Sequence, residues 1–364
     1  MKIFIAGSFP PPFNGQNIGT FLVKDMLEKN PLFIIKSFSW NITWYPTDNA
    51  SFVVKLFYYF ISFFKYLFTI FYLWFFFIIK FPDVLYIVPS SNNKGFYRDF
   101  LFYLPFLIFR KRIVCHIRSG SFSISKFPFN FLYRFSNFHF IFLSELLSKN
   151  SFVPKNQSVV IPNFVDEIFN SNDNLNSIAS KPYKIVYLSN LFASKGIFSL
   201  IDSVKYFSKD EFTLFIYGEG EENVKNKILN EIEGFPNIKF YGKISDRNLI
   251  KNIFSSSDLF ALPTTYKIEA SPRSIIEAIS QGCVPLVTNH AGIPDMLNSD
   301  FSFMIDKEND IVHQLRSSLN SILLMDPEYF QQYKQRSINH FHNNFSYEII
   351  KNKIYNVFID LKKL

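Results

Sequence analysis

Short apolar runs, broken by Gly, Pro, Asn and Ser, recur along the chain and are separated by longer stretches of helical character. Runs of Ile, Val, Leu and Phe without polar alternation read as strands buried on both faces, which is what parallel sheets contain. The pattern predicts strands at 2–7, 83–90, 112–119, 138–144 and 158–163, and a second series at 184–190, 212–218, 238–244, 258–264, 284–289 and 302–306. Between the two series, 166–183 is rich in Asn and Ser and carries no period, the mark of a linker. Strands alternating with helices in this way predict an α/β protein with a parallel sheet in each half. The division is 1–165, a linker at 166–183, 184–340, and a terminal amphipathic helix over 341–364. A length of 364 residues agrees with two cores rather than one.

One stretch departs from this alternation. Residues 51–83 are apolar almost throughout, yet Lys55, Lys65 and Lys80 interrupt them and leave a longest charge-free run of 14 residues, 66–79. A bilayer-spanning helix needs about 20 apolar residues. The stretch is therefore read as an interfacial element, with its apolar face among lipid headgroups and its lysines on anionic lipid, with a tilted or re-entrant insertion whose lysines snorkel and a buried core helix as the alternatives. A second apolar segment, 100–115, ends in Arg110, Lys111 and Arg112, and its company favours the membrane surface.

Composition sharpens that expectation. Aromatic residues make up 19% of the chain and Phe alone numbers 48, while charged residues fall to 19%. The net charge of +8 is uneven: residues 1–164 hold 17 Lys+Arg against 6 Asp+Glu, a net of +11, and the remainder has a net of −3. A basic, apolar half attracts anionic partners, although no motif points to nucleic acid. Two cysteines, Cys115 and Cys283, form neither a metal motif nor a disulfide framework and fit a reducing setting. The opening apolar run is too short for a signal-peptide core and reads as a first buried strand.

Open α/β sheets bind ligands beyond the carboxyl ends of their strands, so the segments that follow each strand carry the candidate chemistry. The first, 7–19, bears Gly15 ahead of a helix expected from about Thr20. It lacks the G-x-G-x-x-G spacing of dinucleotide folds, but backbone N–H groups beside Gly15 could approach a phosphate. His116 and Arg118 close the strand at 112–119. Lys195-Gly196 lies where a loop turns into a helix, so an ammonium and a helix N-terminus converge. In "EASPRSIIEAISQGCVPLV" (269–287), Ser271 is the expected N-cap and Pro272 the first helical residue. Ile275, Ile276 and Ile279 form a core stripe, and Gly282 is the stop. Glu269 then precedes the helix and Glu277 lies within it. Taken singly, each of these has an ordinary use: a Pro-rich turn, a packed histidine, a common Lys-Gly, a surface glutamate. Their collection at strand ends is what points to a site.

The ordered set of segments resembles the GT-B-fold glycosyltransferases, and within them the large retaining glycosyltransferase family 4. The set comprises "PPPFNG", "HIRSGSF", "VIPNFVD", "LSNLFASKG", "YGEGEE", "FYGKIS" and the Glu-x7-Glu segment running into "EAISQGCVPLVTNHAGIPDML". The resemblance implies two facing Rossmann-like domains with an interdomain cleft. The nucleotide-sugar would sit in the C-terminal half, the acceptor in the N-terminal half, and the terminal helix would pack back on the N-terminal domain. It implies Lys195 as the cation facing the leaving diphosphate, Glu277 on the ribose hydroxyls and Glu269 near the donor sugar, with His116 beside the reacting groups. Gly15 and Ser271 would join the donor site, and Gly242 and Lys243 would lie next to the base. Relatives often carry an Arg five residues before the Lys. Here Asn190 stands in that position, and Arg273 is the candidate to compensate. Phe164 replaces the usual Gly of the "VIPNFVD" segment. Arg98 and Arg118 are assigned to the acceptor.

No Asp-x-Asp occurs, so a metal-independent transfer with no cofactor beyond a UDP- or GDP-linked sugar is expected. The implied acceptor is a glycan or a polyprenyl-diphosphate-linked sugar for capsule or O-antigen synthesis. The implied location is cytoplasmic, peripheral on the inner face of the cell membrane. A sugar-nucleotide epimerase, a phosphorylase and a non-catalytic membrane scaffold with the same fold are the alternatives.

Overall fold

The computed structural model describes residues 1–11, 15–39, 51–90, 93–120, 122, 129–170 and 179–363. The chain forms two compact units, Met1–Ile161 with Lys351–Leu364, and Pro162–Ile350.

The first unit runs β1 (Lys2–Gly7), α1 (Gly15–Glu28), β2 (Ile34–Ser39), α2 (Phe52–Lys80), β3 (Val84–Ile87), α3 (Asn93–Ile108), β4 (Arg112–Ile117), α4 (Phe129–Leu132), β5 (Phe138–Phe142), α5 (Glu145–Lys149) and β6 (Ser158–Val160). Its strands form one parallel sheet in the order β2-β1-β3-β4-β5-β6. Strands β1, β3 and β4 are buried along nearly their whole length, as their unbroken apolar sequences require. The edge strand β2 is mostly exposed, so its sequence carries no clean period, and it is absent from the strands expected above. Helix α1 begins at Gly15 rather than near Thr20. Asn17, Gly19 and Thr20 are poor helix formers, but their burial holds the first turn in place.

Residues 52–80 form a single helix, α2. Ser51 caps it by accepting a 3.4 Å hydrogen bond from the Val54 amide, and Phe81 ends it in a left-handed conformation, φ 44°. The core-helix reading of this stretch is overturned, because only Ser62, Thr69, Leu73 and Phe77 of α2 are buried.

The second unit runs β7 (Tyr183–Leu188), α6 (Ile197–Val204), β8 (Phe212–Tyr217), α7 (Glu222–Ile232), β9 (Ile238–Gly242), α8 (Arg247–Ser255), β10 (Leu259–Leu262), α9 (Arg273–Ser280), β11 (Val284–Thr288), β12 (Phe303–Ile305), α10 (Ile311–Leu324), α11 (Pro327–Asn344) and the start of α12 (Tyr347–Lys363). It holds a second parallel sheet, ordered β12-β11-β10-β7-β8-β9. The stretch drawn as a linker belongs here rather than between cores: Phe169, Ala179 and Tyr183 are part of this unit's hydrophobic cluster. Its polar flanks hide that burial in the sequence. The middle of that stretch, 171–178, and 12–14 of the first loop lie outside the described residues. The terminal segment drawn as 341–364 divides at Lys351. The part beyond it is anchored in the first unit, where the Tyr355 hydroxyl donates to the Met26 carbonyl at 2.6 Å and Phe358 meets Phe33 and Tyr86.

Candidate functional site

In the second unit the chemistry-bearing residues gather on loops at the carboxyl ends of the parallel strands, where the helix N-termini also point. After β7 the chain passes through a 3-10 turn, Ala193–Lys195, and reaches α6 by way of Gly196 at φ 79°. A Cβ at Gly196 would stand 2.1 Å from the Pro263 carbonyl oxygen, so only glycine allows this approach. The turn is pinned to the loop after β10 by the Thr265 amide, which donates to the Ser194 carbonyl at 2.8 Å. Gly218, after β8, is equally tight, with its Cβ position 2.1 Å from the Ser189 carbonyl oxygen. Three strand-end loops are thereby locked together. Gly196→Ala is expected to cost about 2 kcal/mol or more, from left-handed strain plus the clash. Denaturant unfolding checks this, and an unchanged midpoint would show that the loop yields freely.

The locked loops bring Lys195 and Glu269 together. Lys195 Nζ donates to Glu269 Oε2, both residues are buried, and the ammonium lies 4.7 Å from the centre of the Tyr266 ring. Tyr266 is held in turn by stacking against Phe192 at 5.8 Å and by a 2.9 Å contact from its carbonyl to His290 Nε2.

Helix α9 carries the second carboxylate. Every residue from Ile275 to Ser280 is buried, Glu277 included. The helix starts at Arg273, two residues after Ser271, and Pro272 is its cap residue without a side-chain capping bond. The expectation that Ser271 caps it is therefore corrected. Its hydroxyl contacts the Met296 sulfur at 3.3 Å, and its carbonyl accepts from Asn163 Nδ2 at 2.5 Å, because the extended Pro272 carries Ser271 away from the first turn. Glu277 Oε1 accepts from Arg247 Nη2 at 2.7 Å, and Arg247 Nε donates to Asp166 Oδ2 at 2.8 Å. The guanidinium lies 4.8 Å from the Phe169 ring centre. Burial disfavours the Arg247 charge, but Glu277 and Asp166 outweigh it and raise its pKa further above the usual arginine range.

Sequence reasoning missed Arg247 and did not assign Asp166 a role. One signal was available: Arg247 is the first residue of a helix, where the dipole repels a cation, so an acidic partner had to be near.

The other residues expected in the donor site lie in the same unit, except Gly15, which belongs to the first. Arg273 is buried with its guanidinium carbon 5.5 Å from the centre of the Phe164 ring, so the phenylalanine that replaces a usual glycine gives this cation an aromatic face. Asn190 is exposed, and its carbonyl accepts from the Phe192 amide at 2.9 Å. Gly242 ends β9 at φ 74°, and Lys243 beside it is exposed, with Nζ 3.3 Å from Glu219. A hydrogen bond from Lys225, aided by Lys243, holds the Glu219 carboxyl below the usual carboxylate range.

The first unit places its candidates differently. His116 is fully buried within β4, its Nδ1 2.8 Å from the Tyr86 hydroxyl and 3.3 Å from Arg118 Nη2. Arg118 also donates to the Gly19 carbonyl at 3.1 Å. Arg98 is no surface ion pair. It donates to the fully buried Asp99 and, at 2.8 Å, to the Ser90 hydroxyl, while the Ser90 amide donates to Asp99 at 2.6 Å. Burial raises the Asp99 pKa, and Arg98 pulls against it. Gly15 opens α1 with free space where a Cβ would stand, so the chain itself makes no steric demand for glycine there. Among the described residues no group of three or more His, Cys, Asp or Glu is placed to hold a metal ion.

Residues 169–339 match the model of the family described as glycosyl transferases group 1. A glycogen synthase of Clostridium perfringens is 26% identical over 38% of this chain and 30% of its own length. The amylovoran biosynthesis glycosyltransferase AmsK of Erwinia amylovora is 24% identical over 38% of this chain and 36% of its own length. The matched stretch thus spans about a third of each of these curated relatives. Among solved structures, Anabaena Alr3699/HepE in complex with UDP superposes with a TM-score of 0.71 at 15% identity, covering 99% of this chain and 100% of that one. The two parallel-sheet α/β units are those of the GT-B fold.

Proposed function

We propose that this chain, whose residues 169–339 match the model of the glycosyl transferases group 1 family, moves a sugar from a nucleotide-diphosphate sugar to a glycan or polyprenyl-diphosphate-linked acceptor in surface polysaccharide synthesis. The reaction retains the anomeric configuration and uses no metal. The observation that carries the reading is the buried ion pair Lys195–Glu269 together with the buried Glu277 held by the half-buried Arg247, at the carboxyl edge of the second sheet. Burying these two carboxylates with their cations is costly, and function rather than stability accounts best for their presence.

In this reading Glu277, held by Arg247, accepts hydrogen bonds from the ribose hydroxyls. Donor binding draws the Lys195 ammonium from Glu269 onto the diphosphate. The bond between the sugar's anomeric carbon and the phosphate oxygen breaks, its electron pair passing to the diphosphate. The acceptor hydroxyl oxygen bonds to that carbon on the same face, and its proton ends on the released diphosphate. Lys195 and Arg273 stabilise the charge that develops there, in place of the arginine that Asn190 replaces. Glu269, freed from Lys195, faces the positive charge on the sugar ring.

A UDP-linked donor is favoured, because the similar HepE was crystallised with UDP and with UDP-glucose. The test is a thermal-shift and calorimetric titration with UDP, GDP, ADP and CMP, run beside Glu277→Ala and Lys195→Ala. Selective binding of one diphosphate, at least tenfold weaker in both variants, is expected. No binding by the folded wild-type protein would overturn the reading.

A further inference from the structure

Helix α2 presents two opposite stripes. One, at 55, 62, 66, 69, 73, 77 and 80, holds Lys55, Lys80 and all four buried residues of the helix. The C-terminal half of the helix is sewn to the first unit through this stripe and its flank: Tyr72 meets Phe38 at 5.2 Å, Phe76 meets Phe4 at 5.2 Å, and Phe77 meets Phe106 at 5.0 Å. The other stripe, at 57, 60, 64, 68, 71, 75 and 78, is Phe at every position but the last, which is Ile. Each of these residues is exposed, from 49% at Phe64 to 72% at Ile78. The hydroxyls of Ser62 and Thr69 bond back to the Tyr58 and Lys65 carbonyls, both at 2.7 Å, so they need no water.

A continuous apolar face of this length, about 32 Å at 1.5 Å per residue, is far more than a soluble surface leaves uncovered. Beside its C-terminal end Phe81, Ile108 and Phe109 are also exposed, and the rings of Phe81 and Phe109 cluster with Phe77. Around that end stand Lys80, Arg110 and Lys111, the last with its ammonium 4.6 Å from the Phe81 ring centre. No carboxylate lies anywhere on α2.

We propose that α2 lies flat in the headgroup region of an anionic bilayer, inserting the stripe from Phe57 to Ile78 while the opposite side, at Thr69, Leu73 and Phe77, stays against the protein. By length and composition alone α2 could cross a membrane. Its packing forbids it: residues 66–77 cover the first unit's sheet and α3 and cannot be surrounded by lipid. A second copy of the chain is a poorer occupant than lipid, because it would bring the same positive collar to the same face. Anionic headgroups match that collar, and the phenylalanines reach the acyl boundary.

The test uses the full chain with vesicles of phosphatidylcholine, alone or with about one-third phosphatidylglycerol, and reads nucleotide binding separately, so its outcome is independent of the donor reading. Flotation with the anionic vesicles is expected, at least tenfold stronger than with the neutral ones and at least tenfold weaker for the triple variant Phe64→Glu, Phe68→Glu, Phe71→Glu. These side chains are exposed, so the variant keeps its melting temperature. Fluorescent probes on single cysteines introduced at Phe57, Phe64, Phe71 and Ile78, beside the buried native Cys115 and Cys283, are expected to report one common depth against lipid-borne quenchers. A depth that changes from one end to the other would mean that α2 spans the bilayer. Failure to float, or a discrete dimer lost in the triple variant, would overturn the lipid assignment.

Discussion

Replacing Lys195 with methionine is expected to slow sugar transfer by about 100- to 1,000-fold, the usual loss when one preorganised cation or donor is removed from a developing anion. The same change leaves Glu269 buried without its partner, which costs stability as well. The two effects separate in a double variant. Lys195→Met with Glu269→Gln removes the stranded charge and is expected to recover most of the stability and none of the rate. Melting temperature and single-turnover rate, measured on both proteins, decide the matter. Recovery of rate in the double variant would show that Lys195 serves only to neutralise Glu269. Lys195→Arg should fall between, since the charge is kept but the planar fork meets the Tyr266 ring and Glu269 differently.

Arg247→Met is expected to destabilise the protein by about 1–3 kcal/mol, because it strands the buried Glu277 beside Asp166, while Asp166 keeps part of its water. Adding Glu277→Leu should return part of that loss, and the coupling between the two positions gives the strength of the pair. Nucleotide affinity will not return, because the ribose partner is then gone. Denaturant melts and a UDP titration of Arg247→Met, Glu277→Leu and the double variant check both halves of the statement. If Arg247→Met is as stable as the wild type, Arg247 is a solvent-screened surface cation and Glu277 has no need of it.

Much of the fold was legible without coordinates, for a local reason. A strand buried on both faces must be apolar at every position, and the runs at 2–7, 83–90, 184–190 and 258–264 announce β1, β3, β7 and β10 directly. The strand that escaped, β2, lies at a sheet edge where water covers much of it and the period disappears. Ser271 was misread because serine before proline satisfies every local rule for a cap, whereas its actual partners, Met296 and Asn163, are 25 and 108 residues away.

By itself, then, the sequence determined two α/β halves with parallel sheets, the basic and apolar character of the first, and the acids and cations that a strand-end site would use. It could not pair them. Lys195 meets Glu269 across 74 residues, and Arg247 meets Glu277 across 30 and Asp166 across 81. Such distances are closed by sheet order and by glycines that let one loop touch the next, neither of which leaves a local period. Helix α2 makes the same division. Its hydrophobicity is plain in the sequence, but which stripe is covered depends on where β1 and α3 stand, and only the packed unit decides that.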